Sequence, residues 1–315
     1  MSKHIPVLLN ETIEGLNIKE NGIYVDLTLG RGGHSKEILK RLTTGRLISF
    51  DKDETALEES KENLKGFSEK FTGILDDFRN FRQHLDELKI EKIDGIMADL
   101  GVSSPQFDDA SRGFSYKEDA RLDMRMDRRQ KFSAYELVNT YSLNELTRVF
   151  REYGEDKYSY QIARKIVEIR AEKPIETTTE LVDIIKSCKP QKELMKKGHP
   201  AKQIFQAIRI EVNDELGALK VALADALKSL KVGGRACFIT FHSLEDRLVK
   251  NAFNEVSKVE GTRHNVFALP SEKDLPDYRL VNNKVIIASD EELENNPRSK
   301  SAKLRIIERV KYNFK

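Results

Sequence analysis

A glycine-rich turn between an apolar segment and a helical pattern limits what this chain can fold into more than any other feature. Residues 23–28 are mostly apolar or β-branched, which predicts a buried strand. Gly30, Gly32 and Gly33 follow, and residues 35–42 have a helical pattern. A strand, a glycine turn and a helix start bring backbone N–H groups and a helix N-terminus close to a ligand. Taken by itself, this turn is equally typical of an ordinary α/β connection.

Asp51 supplies a second signal for a cofactor site. It ends the next apolar run, residues 47–50, at the usual offset for an acid that binds ribose hydroxyls. The Gly-x-Gly-x-x-Gly spacing of nicotinamide dehydrogenases is absent. Residues 26–32 are instead similar to the acid-x-Gly-x-Gly-x-Gly loop of class I S-adenosylmethionine methyltransferases, with Thr28 at the first glycine position. S-adenosylmethionine has no pyrophosphate, so this loop need only approach its methionine part while Asp51 binds the ribose.

The remaining patterns predict a doubly wound, Rossmann-like α/β sheet interrupted by a helical insertion. We predict further strands over residues 71–74, 93–100, 236–241, 284–288 and 303–310. Gly233 and Gly234 are expected to end the helix that precedes the strand over 236–241. Between the fourth and fifth strands the pattern is helical only. The expected domains are an α/β domain formed by residues 1–106 and 206–315, and an inserted helical domain over residues 107–205.

Three helix starts within the insertion have a clear sequence signature. Ser/Thr-x-x-Glu sequences begin at Ser133, Ser142 and Thr177. In such a capping box the hydroxyl and the carboxylate each accept a hydrogen bond from a backbone N–H group at the helix start. Apolar residues at helical spacing follow each box, and these predict a packed core and not a binding site.

Charge and cysteine content narrow the classes of function. Lys and Arg together number 54 and Asp and Glu 52, so any nucleic-acid contact must come from local basic patches. Cys188 and Cys237 are far apart and lack metal-ligand spacing, which argues against a disulfide framework and a zinc site. No window has the ~20 apolar residues of a membrane span. We expect a cytoplasmic protein with reduced thiols, without a resident metal or a membrane partner.

Seven segments, taken in order, resemble one protein family. They are His4–Leu9, Gly30–His34, Asp99–Gln106, Leu122–Asp127, Phe205–Asn213, Phe241–Arg247 and Asn296–Lys303. Together they resemble the RsmH (MraW) family of bacterial 16S rRNA cytosine-N4 methyltransferases, over essentially the whole chain. Two positions depart from the family pattern. Ala120-Arg121 stands where Gly-Pro is expected, and Lys300 stands at a position that is usually arginine.

The resemblance implies a reaction, a cofactor and a set of contacts. The reaction is N4-methylation of a decoding-region cytidine of 16S rRNA in the small ribosomal subunit, with S-adenosylmethionine as methyl donor. The oligomeric state is left open, and a homodimer is compatible with it. Carried over position by position, the cofactor contacts are Gly32, Gly33, His34, Asp51, Phe78, Asp99 and Gln106. As a single residue, Phe78 is more typical of a core aromatic. Asp99 alone is compatible with a solvated acid at a strand end, but its position beside Ser104-Pro105 favours a site role.

Ser104-Pro105-Gln106-Phe107 is the candidate catalytic loop. It is similar to the Asp/Asn/Ser-Pro-Pro-aromatic loop of amino-methyltransferases that act on DNA bases, although Gln106 interrupts the Pro-Pro pair. By this analogy the Ser104 side chain and the carbonyl group beside Pro105 accept the amine hydrogens, while Phe107 stacks on the base. The alternative is a rigid proline turn with a buried Phe107.

Basic residues and one histidine are candidates for RNA contact. An extruded base requires the RNA backbone to be held nearby. The insertion offers the lysine run Lys192, Lys196 and Lys197, accompanied by Lys189 and Lys202 and opposed only by Glu193. A second basic group contains Arg112, Arg121, Arg125, Arg128 and Arg129, some of which Asp123 and Asp127 could neutralise. His242 ends the fifth predicted strand. A solvated lysine face and an inert loop histidine are the alternatives.

Two other functions are compatible with the same residues. One is methylation of an amine on another substrate, in protein or DNA. The other is a ribosome-assembly factor that binds cofactor and RNA without turnover. The intact Ser104–Phe107 loop favours catalysis over a binding role alone.

Overall fold

The computed structural model describes residues 5–258 and 275–311, which form two compact units. His4, the first residue of one family-like segment, lies outside the described residues. The first unit contains Met1–Gly101 and Gly217–Lys315, and the second contains Val102–Leu216. The second unit thus extends beyond the expected range 107–205 at both ends. At its C-terminal end the reason is packing, because Ile208 and Val212 belong to the core of the second unit.

A sheet of seven strands, counted over the described residues, forms the first unit. The strands are β1 (Ile23–Asp26), β2 (Arg46–Asp51), β3 (Phe71–Leu75), β4 (Ile93–Asp99), β5 (Leu230–Thr240), β6 (Tyr278–Leu280) and β7 (Lys303–Arg309). Their order is β3-β2-β1-β4-β5-β7-β6. Strands β1 to β5 pair in parallel, and β7 runs antiparallel to β5 and β6. The strand order reverses between β1 and β4, which is where open α/β sheets bind ligands.

Helices cover both faces of this sheet and make up most of the second unit. The helices are α1 (Leu9–Leu16), α2 (Gly33–Arg41), α3 (Glu54–Asn63), α4 (Phe81–Glu87), α5 (Ser104–Asp108), α6 (Ala134–Thr140), α7 (Leu143–Glu152), α8 (Ser159–Arg170), α9 (Thr178–Ser187), α10 (Gln191–Leu194), α11 (Lys202–Asn213), α12 (Glu215–Ser229), α13 (Ser243–Ser257) and α14 (Asp290–Asn295). Helices α1, α2 and α3 pack with one face of the sheet, and α4, α12 and α13 with the other. Within the described ranges, none of these helices is long and apolar enough to cross a membrane.

The strand predicted over 284–288 is wrong. The edge strand is β6, which pairs with β7, whereas Ile286 makes only an isolated bridge to Leu304. Gly233 and Gly234 also do not end a helix. They lie inside β5, where the pairing with β4 shifts register between Ile93 and Gly95. Gly233 has a φ of 77°, and a Cβ on Gly234 would lie 2.9 Å from the carbonyl oxygen of Lys231, so this irregular strand requires glycine.

The three predicted capping boxes are confirmed in the second unit. Ser133, Ser142 and Thr177 are the N-cap residues of α6, α7 and α9. The Oε2 atom of Glu136 accepts a hydrogen bond from the Ser133 N–H at 2.8 Å, and the other two boxes have the same arrangement. The apolar faces of these helices meet in one core cluster, as their spacing predicts.

Candidate active site

Three parallel strands of the first unit end in aspartate at one edge of the sheet. Asp26 ends β1, Asp51 ends β2 and Asp99 ends β4. These strands are neighbours in the order β2-β1-β4, so the three carboxyl groups surround the point where the strand order reverses. The glycine turn leaves β1 at the same edge and leads into α2.

The glycine turn has left-handed backbone at two positions. Gly30 has a φ of 50° and Gly32, the N-cap of α2, has a φ of 76°. A Cβ on Gly30 would meet no atom within 4 Å, so the space over Gly30 is open. A Cβ on Gly32 would press on the Leu64 side chain at 3.0 Å. Gly30 therefore borders a space for a ligand, and Gly32 serves the shape of the turn.

Asp51 connects the end of β2 to the glycine turn. Its Oδ2 atom accepts a hydrogen bond from the Gly30 N–H at 2.9 Å, and its Oδ1 atom accepts one from the Asp53 N–H at 2.9 Å. Burial raises the pKa of Asp51 to about 6, against the lowering effect of these two hydrogen bonds. Each carboxylate oxygen has a second lone pair that can accept a hydroxyl donor. The geometry is thus compatible with the predicted ribose contact.

Asp26 is a structural carboxylate of the turn that the sequence identified only through its spacing. It is buried, and its Oδ2 atom accepts a hydrogen bond from the Ser35 hydroxyl at 2.7 Å. Its Oδ1 atom accepts one from the Thr28 N–H at 3.0 Å. Burial raises the pKa of Asp26 to about 6. These bonds connect the end of β1 to the first turn of α2, so Asp26 sets the path of the glycine loop.

Asp99 is the carboxyl group of the site whose hydrogen-bonding capacity is least satisfied. Its Oδ1 atom is buried and has no hydrogen-bond partner among the described residues. Burial raises its pKa to about 8, and repulsion from Asp26, Glu245 and Glu292 adds to the rise. The Nδ1 atom of His34 is 3.9 Å from Asp99 Oδ2. Such a group favours a ligand with a cationic or hydrogen-donating end.

Gly33 and His34 hold the N-terminal segment against the turn. A Cβ on Gly33 would lie 2.4 Å from Cγ of Pro6, so this contact is possible only with glycine. The buried His34 places its Nε2 atom 3.0 Å from the carbonyl oxygen of Val7. These contacts favour a positioning role for the two residues, alongside the cofactor contact that the family resemblance implies.

Phe78 follows β3 at the same edge of the sheet. It begins a short 3-10 helix, Phe78–Asn80, that Asp77 caps by accepting a hydrogen bond from the Arg79 N–H at 3.0 Å. The Phe78 ring is half-buried and packs against the core cluster below the sheet. Because Phe78 is half-buried, it is compatible both with a core aromatic and with a cofactor contact.

The predicted catalytic loop is the start of a helix in the second unit. Ser104 is the first residue of α5, and Pro105 occupies its first turn. Gln106 is buried and its Oε1 atom accepts a hydrogen bond from the Ser103 N–H at 3.1 Å, which completes a capping box. Phe107 is 41% exposed. The alternative of a rigid turn with a buried Phe107 is therefore wrong.

Arg112 and Arg125 do not form the open basic group that the sequence suggested. Arg112 is buried, and its guanidinium donates to the carbonyl oxygens of Arg125 at 2.9 Å and Met126 at 3.2 Å. Arg125 donates to both carboxylate oxygens of Asp123, at 2.7 and 2.9 Å. Arg112 is corrected to a residue that stabilises its own loop, and the charge of Arg125 is largely neutralised.

The lysine run divides into paired and unpaired residues. Lys189 is buried with Asp156 at 2.5 Å, and Lys196 pairs with Glu193 at 2.8 Å. Lys192 and Lys197 are exposed and have no ion-pair or hydrogen-bond partner within residues 5–258 and 275–311. The available positive charge of this run is therefore smaller than the sequence suggested. His242, in the first unit, is the N-cap of α13 at the end of β5.

The comparisons with known proteins agree with this geometry. The family model described as "MraW methylase family" matches residues 1–310. The chain belongs to the MraW methylase family. It is 54% identical over 311 residues to Ribosomal RNA small subunit methyltransferase H of Streptococcus pyogenes serotype M4, and 53% identical to the protein of the same name from Streptococcus dysgalactiae subsp. equisimilis. Each match covers 98% of this chain and 98% of the relative.

A solved structure with a similar name has a weaker likeness. An rRNA methylase from Streptococcus thermophilus aligns with 98% of this chain and 100% of its own, at 12% identity and a TM-score of 0.43. The family assignment therefore rests on the sequence matches.

As a member of this family, the protein is an S-adenosylmethionine-dependent methyltransferase with the class I fold. The residues of the first unit fit that cofactor. The donor carries a cationic amino group and a sulfonium, which suit the unpartnered Oδ1 atom of Asp99 and the excess of carboxyl groups around it. The open space over Gly30 lets a ligand approach the backbone. Asp51 keeps acceptor capacity for ribose hydroxyls.

Proposed function

We propose that this protein methylates the N4 amine of a cytidine in 16S rRNA, within the small ribosomal subunit in the cytoplasm. The observation that supports this proposal most is the similarity, across 98% of the chain, to relatives named as small subunit rRNA methyltransferases. The family resemblance of the ordered motifs narrows the target to a cytidine amine of the decoding region.

The chemistry of a cytosine amine suits the residues of α5. Its nitrogen lone pair is delocalised into the ring, so the amine is a poor nucleophile but needs no strong base to begin attack. Acceptors that hold the two amine hydrogens help the nitrogen to pyramidalise. In this proposal Ser104 and the carbonyl group beside Pro105 are those acceptors, and the exposed Phe107 stacks on the base. Positioning then supplies most of the acceleration.

In this proposal, residues of the first unit make most of the cofactor contacts. Bound S-adenosylmethionine supplies an activated methyl group. Asp99 holds its cationic end, Asp51 accepts hydrogen bonds from its ribose, and Phe78 contacts its adenine. The turn of Gly30, Gly32 and Gly33, which His34 supports through the N-terminal segment, allows the close approach. Gln106 is assigned to the same set by family resemblance, and it also serves as the N3 residue of the α5 capping box, with Ser103 as the N-cap.

The decisive experiment measures which nucleoside receives the methyl group. The protein is incubated with labelled methyl donor and small subunits from a strain that lacks this enzyme, and the product is mapped by mass spectrometry. We expect N4-methylcytidine at one site of 16S rRNA. Deproteinised 16S rRNA, total protein and DNA are the matched substrates. Label in protein or DNA would favour the other-amine function, and tight subunit binding without any methylation would favour an assembly factor.

A further inference from the structure

A cleft of about 310 Å³ lies in the first unit where β5 ends and β7 begins. Its walls include Phe241, His242 and Ser243 after β5, Ile287, and Lys300 and Lys303 before and at the start of β7. Thr240 pairs with Lys303, and β5 is the direct neighbour of β4, the strand that ends in Asp99. This β5–β7 cleft therefore opens at the same edge of the sheet as the cofactor residues. Its size is at the lower end of ordinary ligand sites.

The lining of the cleft combines apolar surface with positive charge. Ile287 is 63% exposed, and Phe241 is only partly buried. Lys300 is exposed and has no ion-pair or hydrogen-bond partner in the part of the chain that the structure describes. Lys303 is held 3.3 Å from Asp246. An exposed apolar wall beside an unpaired cation suits a ligand that has a flat apolar part and an anionic part.

His242 contributes a nearly buried imidazole ring to this lining. Its side chain is 9% exposed, and both ring nitrogens are buried. The Nε2 atom is 3.1 Å from Glu245 Oε1 but is not aligned for a hydrogen bond. Glu245 Oε2 instead accepts hydrogen bonds from the Phe241 N–H at 2.8 Å and the His242 N–H at 3.3 Å. The His242 ring therefore packs beside Glu245 as a largely buried part of the cleft wall.

We propose that the β5–β7 cleft binds one unpaired nucleotide of the RNA substrate. Its phosphate lies at Lys300, and its base lies against Phe241 and Ile287. Unpaired RNA matches this lining, because its bases offer a stacking face and its backbone one negative charge per nucleotide. The inference rests on the proposed function and adds to it a substrate subsite in the methyltransferase unit itself.

Four single variants test the cleft. Lys300→Ala removes the unpaired cation, Lys300→Arg keeps it, and Ile287→Asp places a negative charge on the exposed wall. Lys250→Ala is the matched control, because Lys250 is an exposed lysine of α13 that does not line the cleft. Binding to small ribosomal subunits is measured at several salt concentrations, together with the single-turnover methylation rate. Cofactor affinity, measured by calorimetry, reports whether each variant keeps its fold.

Loss of one phosphate contact should weaken subunit binding about three- to tenfold and reduce the salt slope by roughly 0.7–1. We expect this for Lys300→Ala, a larger loss for Ile287→Asp, and wild-type behaviour for Lys300→Arg and Lys250→Ala. Cofactor affinity should stay at the wild-type level in all four variants. If Lys300→Ala and Ile287→Asp bind subunits as Lys250→Ala does while the wild type methylates RNA, the cleft proposal is overturned and the proposed function stands. If the wild type does not methylate RNA, both are overturned.

Discussion

At the scale of single residues, the carboxyl groups around the glycine turn make the cofactor-free protein sensitive to pH. The pKa of Asp99 is raised to about 8, and those of Asp26 and Asp51 to about 6. Burial is the first cause in each case. A carboxyl group whose pKa is higher in the folded protein than in the unfolded chain stabilises the fold at low pH, and that contribution is lost as the pH rises through the folded-state pKa.

We therefore expect the free energy of unfolding of the cofactor-free protein to fall as the pH rises from about 4 to about 8. The upper part of this fall belongs to Asp99, so Asp99→Asn should flatten it. The measurement is chemical denaturation across this pH range. An equally steep fall between about pH 7 and 8 in the variant would assign the effect to another group.

Cofactor binding should have the opposite pH dependence, because the cationic end of the donor prefers an ionised Asp99. Affinity should rise as the pH increases toward about 8. Asp99→Asn should weaken binding by roughly 1–3 kcal/mol and remove this rise. Calorimetry at several pH values measures both effects, and wild-type cofactor affinity in the Asp99→Asn variant would remove Asp99 from the cofactor site.

Two glycines of the turn should respond differently to the same substitution. Gly30→Ala places a methyl group in open space, so it should cost about 1 kcal/mol of backbone strain but strongly weaken cofactor binding. Gly32→Ala presses on Leu64, so its main effect should be on stability. Thermal unfolding and calorimetry separate the two effects. Equal loss of cofactor affinity at constant stability would contradict this division.

At the scale of elements, helix α5 joins the loop assigned to catalysis to a capping box. Because the Phe107 side chain is 41% exposed, Phe107→Ala should leave stability nearly unchanged while weakening capture of the base by ~1–3 kcal/mol.

Ser104→Ala should lower the single-turnover rate on the order of ten- to a thousandfold with little change in cofactor affinity. Ser103→Ala is the control for the helix, since it should cost about 1 kcal/mol of stability through the lost N-cap of α5. A wild-type rate in Ser104→Ala would leave only backbone carbonyls as acceptors.

The elements that the sequence predicted well are those whose signal is local. Strands β1 to β4 are short apolar runs between polar turns. The three capping boxes are recognisable because each needs only Ser or Thr at the N-cap and Glu three residues later. The edge strand β6 was missed because it has only three residues, and its apolar pattern is no more distinct than that of residues 284–288. Gly233 and Gly234 were misplaced because an irregular strand pairing and a helix end have the same glycine signature.

The candidate site shows the same limit. Asp51 and Asp99 were identifiable because strand ends at one sheet edge can be counted from the sequence. The burial of Arg112 was not, because it depends on the carbonyl groups of Arg125 and Met126, which only the folded loop brings together. The hydrogen bonds of Asp26 to Ser35 and Thr28 likewise follow from side-chain directions that spacing does not specify.

At the scale of the whole molecule, the two units should carry separable tasks. The combined change Lys192→Ala, Lys196→Ala and Lys197→Ala removes charge from the second unit, and it should weaken binding to small ribosomal subunits and reduce the salt slope by up to about 2. The limit is about two, not three, because Lys196 is already paired with Glu193. Cofactor affinity should not change. The matched control replaces three exposed lysines of the first unit, Lys61, Lys220 and Lys250.

Combining these three lysine changes with Asp99→Asn tests the separation directly. If each unit acts through its own ligand, the two sets of changes should have independent effects. The combined variant should bind subunits as the lysine variant does, and it should bind the cofactor as Asp99→Asn does. Calorimetry with the cofactor and salt-dependent subunit binding give the two readings. A salt slope equal to that of the control lysine variant would mean that the lysine run is ordinary solvated surface and does not contact RNA. A cofactor affinity lowered by the lysine changes would mean that the second unit contributes to cofactor binding.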